Sequence, residues 1–159
     1  MSNADDASHA MATLYWEDFV LGSAVEMGRH TFGEAEIIEF AQQFDPQPFH
    51  LDPDAAKRSP FGGLIASGWH TCAVGMRFAC DNYVNRAVGL GAPGVDAVTW
   101  PNPVRPGDTI VYRRIALDAR PSKSRPEMGL VRSRWEAVNQ RGETVMTLEG
   151  WGMFGRRPA

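Results

Sequence analysis

The stretch Gly68-Trp69-His70-Thr71-Cys72-Ala73-Val74-Gly75-Met76-Arg77-Phe78-Ala79-Cys80-Asp81-Asn82-Tyr83-Val84-Asn85 decides the fold. Trp69, Cys72, Ala73, Met76, Ala79, Cys80, Tyr83 and Val84 recur three and four residues apart, while Arg77, Asp81 and Asn82 fall elsewhere on the wheel. That spacing predicts an α-helix over 68–85, the longest of the chain and mostly buried. Ser67 before it is a preferred N-cap residue.

Working outward, β-branched and aromatic residues arrive after Asn85 in short runs parted by Pro and Gly clusters, the signature of strands. Strands are expected near 95–100, 109–118, 130–139 and 144–153, with Gln140-Arg141-Gly142 as a hairpin turn and 121–126 as a longer loop. Upstream, 24–31 supplies one more strand. Ile37, Ile38, Phe40, Ala41 and Phe44 mark a helix over 34–43, stopped by Pro46. Strands in succession after one long apolar helix describe an α+β fold, an antiparallel sheet wrapped around a central helix rather than βαβ units. Residues 44–63 carry Pro46, Pro48, Pro53, Pro60 and Gly62-Gly63, which reads as loop with a helical turn or two at 53–58. Irregular backbone of this kind is where sites tend to sit.

Composition narrows the function classes. A chain of 159 residues is of single-domain size and buries about two-thirds of its unfolded surface. Residues 1–13 read as a flexible N-terminal segment or expression remnant, and 14–159 as the folded domain. A net charge of -3 lacks the basic footprint of phosphate-backbone binding, so nucleic acid is excluded as a partner. Cys72 and Cys80 lie too far apart on one helix to bond to each other. Without a membrane span or a leader-like N-terminus, the expected address is the cytoplasm.

The residues that carry chemistry are Asp45-Pro46-Gln47-Pro48-Phe49-His50. Two prolines restrict this loop and can hold the Asp45 and His50 side chains on one side of it, where they would share a water. Adding water across a double bond conjugated to a carbonyl needs a base for the water, an acid for the α-carbon and a donor for the developing enolate oxygen. Asp and His meet the first two needs. The start of the long helix meets the third, because first-turn N–H groups and the positive dipole end are free there; Gly68 also permits close approach. On spacing alone, an Asp and a His in such a loop are more often a turn-forming carboxylate and a surface imidazole, Ser67 needs no ligand to be a cap, and Asp45, His50 and Asp52 form an incomplete metal set. His70 reads as a packing residue.

The run Phe44-Asp45-Pro46-Gln47-Pro48-Phe49-His50-Leu51-Asp52, followed by Phe61-Gly62-Gly63-Leu64-Ile65-Ala66-Ser67-Gly68, resembles the signature of the MaoC-like dehydratases, a hotdog-fold family that includes (R)-specific enoyl-CoA hydratases. Tyr15-Trp16-Glu17-Asp18-Phe19 and Pro103-Val104-Arg105-Pro106-Gly107-Asp108 resemble that family's opening segment and strand-opening motif, so the likeness spans roughly 14–154. It implies that Asp45 and His50 activate water, Asp45 being the stronger base candidate, and that the Gly68 N–H is the oxyanion donor. This sequence departs from the family's usual motif at Gln47, where Asn is common, and at Ser67, where His often precedes the glycine.

The resemblance further implies hydration of a 2-enoyl thioester to a 3-hydroxyacyl thioester, or the reverse, on coenzyme A or acyl carrier protein. No cofactor is expected, coenzyme A being part of the substrate. Gln47, Phe49 and Ser67 are candidate substrate-binding residues, joined by Lys123 and Arg125 of the 121–126 loop for the phosphates, with Lys57, Arg58 and Arg105 competing for that role. A homodimer or higher homo-oligomer is expected. Acyl-CoA thioester hydrolysis, or acyl-thioester binding without chemistry, are the alternatives for the same residues.

Overall fold

A computed structural model describes residues 12–159; the expectation for 1–13 therefore lies, save for residues 12 and 13, outside the described residues. In chain order a short 3-10 turn at Trp16–Asp18 leads to β1 (Ala24–Thr31) and α1 (Glu34–Phe44). Two short helices follow, α2 (Pro48–Leu51) and α3 (Pro53–Lys57), and then α4 (Gly68–Ala79), whose last turn is a π-turn at Cys80–Val84. The rest is strand: β2 (Ala97–Thr99), β3 (Thr109–Pro121), β4 (Met128–Val138) and β5 (Thr144–Gly155). The five strands form one antiparallel sheet in the order β1-β3-β4-β5-β2. This is the α+β arrangement that the succession of strands after one apolar helix predicts.

Alternation along the strands decides which face is covered. Ile110, Tyr112, Val131, Trp135, Ala137, Val145 and Met146 are buried, and α4 lies over the face that they form. The helix approaches the sheet closely at Gly75, where a Cβ would stand 3.2 Å from the Tyr112 ring. Tyr112 Oη donates to the Thr71 carbonyl (3.0 Å), and Trp135 Nε1 donates to Tyr83 Oη (3.2 Å). Both bonds satisfy polar tips of large buried aromatics, which otherwise lose their water without compensation.

Two expectations need correction. The helical turn expected at 53–58 is α3, but residues 44–63 hold a second short helix, α2, where the proline punctuation reads as loop; Pro48 and Pro53 stand at first-turn positions, where their fixed φ and missing N–H cost nothing. Asp52 caps α3 by accepting from the Asp54 and Ala55 amides (2.8 and 3.2 Å), which makes it a helix cap. Nor is the apolar stripe of α4 buried along its whole length: Ala79 and, in the π-turn, Tyr83 are buried, but its N-terminal half is not. His70, Thr71, Gly75 and Ala79 are buried, His70 against Phe40 of α1, whereas Trp69 and Met76 remain 58% and 45% exposed. The missing side chain of Gly75 lets the helix sit close to the sheet there, so small residues take the sheet side while Trp69 and Met76 point away from it.

Candidate active site

Asp45 is placed by the proline after it. A residue before proline is pushed out of the α region, so Asp45 ends α1 as its C-cap with φ -153° and ψ 68°. Its N–H still donates to the Ala41 carbonyl (2.9 Å), which fixes the backbone while the carboxylate turns away from the helix. Pro48 then starts α2 at once, and His50 stands one turn into it, its amide donating to the Gln47 carbonyl (2.9 Å).

The 64–66 segment connects these residues to the long helix. It is buried throughout and tied on both sides, the Ile65 N–H donating to the Phe49 carbonyl (3.2 Å) and the Ala66 N–H to the Val104 carbonyl (2.8 Å). It delivers Ser67 and Gly68 against the Asp45 carboxylate.

His50 is 5% exposed, and its Nδ1 lies 2.7 Å from the Ile65 carbonyl oxygen. A carbonyl oxygen only accepts, so Nδ1 carries a hydrogen and Nε2 is the nitrogen presented to the site. Nε2 stands 3.2 Å from Asp45 Oδ2. The same carboxylate accepts from Ser67 Oγ at Oδ2 and from Gln47 Nε2 at Oδ1, each at 2.7 Å. Burial alone would raise the Asp45 carboxyl, but the Gln47 and Ser67 hydrogen bonds and the neighbouring His50 outweigh it and hold it below the usual carboxylate range. Asp45 is thus an anion at neutral pH, aligned by three partners.

Ser67 has two roles. Its hydroxyl donates to Asp45 and accepts from the Trp69 amide (3.2 Å), so the cap of α4 and the anchor of the carboxylate are one atom. The His70 and Thr71 amides donate to the Ser67 carbonyl (3.0 and 3.2 Å). Among the described residues this leaves the Gly68 N–H as the first-turn amide without an acceptor. A cavity of about 400 Å³ opens beside this amide, lined by Asp45, Gln47, Phe49, His50, Gly68 and Trp100 among others.

The structure brings Asp45, Gln47, Phe49, His50, Ser67 and Gly68 together. Phe49 packs its ring against His50 and Phe61, with centroids 4.6 and 5.0 Å apart. Ser67 is fully buried, and its hydrogen-bonding capacity is turned toward Asp45 and Trp69 rather than into the cavity. Gln47 likewise spends its amide on Asp45. Lys123 and Arg125 are not brought to the cavity. They follow the C-terminal end of β3, and neither is among the residues that line the cavity. Arg125 pairs with Glu127 there (2.9 Å). Of their competitors, Arg105 grips the Phe61 carbonyl at the cavity rim.

Trp100, at the end of the strand expected near 95–100, also lines the cavity. Its indole lies directly on Gly68, where a Cβ would stand 2.3 Å from the ring, and its Nε1 donates to the Gly68 carbonyl (3.1 Å). The one signal in the sequence is an aromatic residue immediately before Pro101-Asn102-Pro103. His70 is buried, stacked on Phe40 (4.6 Å, 5°) and edge-on to Phe32.

Comparison with known proteins agrees with this geometry. The family described as "MaoC like domain" matches residues 18–133. A solved MaoC-like dehydratase from Rhodospirillum rubrum is 42% identical, covers 92% of this chain and 99% of its own, and superposes with a TM-score of 0.82. The uncharacterized protein YdeM of Bacillus subtilis is 26% identical over 134 residues, spanning 84% of this chain and 92% of its own length. The 3-hydroxybutyryl-CoA dehydratase of Methylorubrum extorquens is 26% identical over 143 residues, 86% of this chain and 85% of its own. With its antiparallel sheet wrapped on one long helix and its Asp-His pair set against the start of that helix, the chain is a hotdog domain and belongs to the MaoC-like dehydratase family.

Proposed function

We propose that the protein is a hydro-lyase that adds water to a 2-enoyl thioester, giving a 3-hydroxyacyl thioester, and catalyses the reverse elimination. The observation that carries this reading is the His50 Nε2 to Asp45 Oδ2 contact at 3.2 Å, beside a helix-opening amide with no acceptor of its own. One water hydrogen-bonded to both side chains gives a proton to the pair as its oxygen bonds to C3. The C2–C3 π electrons move toward the thioester carbonyl, whose oxygen accepts from the Gly68 N–H. The proton held by the pair then moves to C2, so atoms and charge balance over the cycle. Positioned acid–base groups contribute about 10² to 10⁴ in rate and an oxyanion donor about 10² to 10³. The resemblance to a dehydratase that acts on 3-hydroxybutyryl-CoA supports a thioester substrate.

The same reading calls for a second copy of the chain. β2 pairs with β5 along one edge only, and Val95 (55% exposed) and Trp100 (42% exposed) flank its open edge. An uncovered strand edge beside apolar side chains favours pairing with another strand. A homodimer joined along β2 covers both.

Loss of the conjugated enoyl absorbance on mixing with crotonyl-CoA tests the reaction. Release of free thiol without hydration would instead support thioester hydrolysis.

A further inference from the structure

Beside the catalytic cavity lies a second one of about 500 Å³, within the ~300–1,000 Å³ range of small-ligand pockets. Its walls are α4 from Trp69 to Met76, the 89–95 segment, and β5 from Leu148 to Phe154. They are almost wholly apolar: Met76, Val95, Trp135, Leu148 and Met153 face it. It contains neither member of the Asp45 and His50 pair, so water addition itself does not use it.

One residue lines both cavities, namely Trp69. Its amide is fixed by Ser67 Oγ. Its ring meets the Trp100 ring edge to face, with centroids 5.2 Å apart and planes at 76°. Trp100 in turn is anchored on the Gly68 carbonyl. Trp69, braced by Trp100, therefore stands between the chamber that holds Asp45 and His50 and a more apolar one that holds neither. At 58% exposure, Trp69 gains little from burial within one chain, so the core does not require so large a side chain there.

We propose that Trp69 is the specificity-determining residue for acyl length: its indole closes the apolar groove to the acyl tail and confines the enzyme to short enoyl thioesters. This rests on the hydratase reading above. The occupant of the opened groove is the alkyl tail of a longer thioester, because the groove is apolar, shares the Trp69 wall with the reacting chamber, and is sized for a small ligand. Each methylene that a pocket accepts or rejects changes specificity by about 10 to 200-fold, so a single wall residue suffices to set the limit.

The test compares wild type, Trp69→Ala and Trp69→Phe on trans-2-enoyl-CoAs of four to ten carbons. Wild type should lose kcat/KM steeply with length, and the ratio of ten-carbon to four-carbon kcat/KM should rise tenfold or more in Trp69→Ala and less in Trp69→Phe. Ala73→Leu added to Trp69→Ala refills the groove from its wall and should take the ratio back down. Affinity for the saturated butyryl- and decanoyl-CoAs, measured by calorimetry, follows the same ratio without needing turnover. If no enoyl-CoA is hydrated but the binding ratio still moves, the reaction assigned above fails and the gate stands. If wild type accepts ten carbons as readily as four, or neither ratio moves in Trp69→Ala, the gate is overturned.

Discussion

Ser67 Oγ donates to Asp45 Oδ2 at 2.7 Å while it caps α4 by accepting from the Trp69 amide, so one buried hydroxyl sets the carboxylate and the helix start in register. Replacing it separates the two. Ser67→Ala leaves the Trp69 N–H and one carboxylate lone pair without partners, and a lost N-cap costs about 0.5–2 kcal/mol. Thermal unfolding should show that loss, and kcat should fall with it because Asp45 is no longer held.

The same bond has a pH signature. Asp45 lies below the ordinary carboxylate range because Gln47, Ser67 and His50 overcome the opposing effect of burial. A depressed carboxyl contributes stability that is present above its unfolded pKa and lost as pH falls through the lower folded value. Activity that requires the Asp45 anion should accordingly persist into mild acid. In Ser67→Ala and Gln47→Ala the acid limb of the kcat/KM profile should move to higher pH, while a limb unmoved in both would separate Asp45 from the rate.

Gly68 and Trp100 should behave as one unit. A methyl group on Gly68 would meet the Trp100 indole at 2.3 Å, and forced overpacking costs about 1–3 kcal/mol. Gly68→Ala should lower the melting temperature and the activity together. Trp100→Ala in the same chain should recover part of the stability, giving a non-additive double-mutant cycle. Strict additivity would place the indole elsewhere.

Asp108 tests a structural motif apart from the chemistry. It is 4% exposed and accepts from the Arg105 amide (3.0 Å), Gln140 Nε2 (2.8 Å) and Arg141 Nη1 (3.2 Å). Burial opposes its ionisation, and these three donors outweigh burial to lower the carboxyl. Asp108→Ala strands them and should cost about 1–3 kcal/mol in denaturant unfolding. In wild type that contribution is present above the unfolded carboxylate pKa and disappears as pH drops through the folded one; equal acid sensitivity of variant and wild type would contradict it.

Periodicity and turn chemistry made much of the fold legible. The Pro and Gly punctuation after Asn85 gave the strands; β3 and β5 run two or three residues longer and β4 starts two earlier, because pairing with neighbours extends them past the hydrophobic pattern, while β2 is shorter than expected. The face of α4 was not legible. Helical spacing marks the apolar residues, but which of them meet the sheet depends on how close Gly75 lets the helix approach, a tertiary property. In the site, Asp45, His50 and Gly68 could be named from local sequence and resemblance. The Ser67 bond to Asp45, spanning 22 residues, and the Trp100 contact with Gly68, spanning 32, have no local pattern. That Lys123 and Arg125 do not line the cavity was not legible for the same reason, since charge density in sequence carries no information on distance from it.

The most direct measurement is hydration of crotonyl-CoA by wild type, Asp45→Asn and His50→Ala, each checked for fold by circular dichroism and thermal melting. His50→Ala deprives the Ile65 carbonyl of its buried donor, so a melting temperature a few degrees lower is expected there, whereas Asp45→Asn keeps its shape. Wild type should hydrate the thioester, and both variants should retain fold and lose about 10² to 10⁴ in kcat. A wild type that turns over no enoyl thioester, or folded variants that match it, would contradict the assignment of Asp45 and His50 as the water-activating pair.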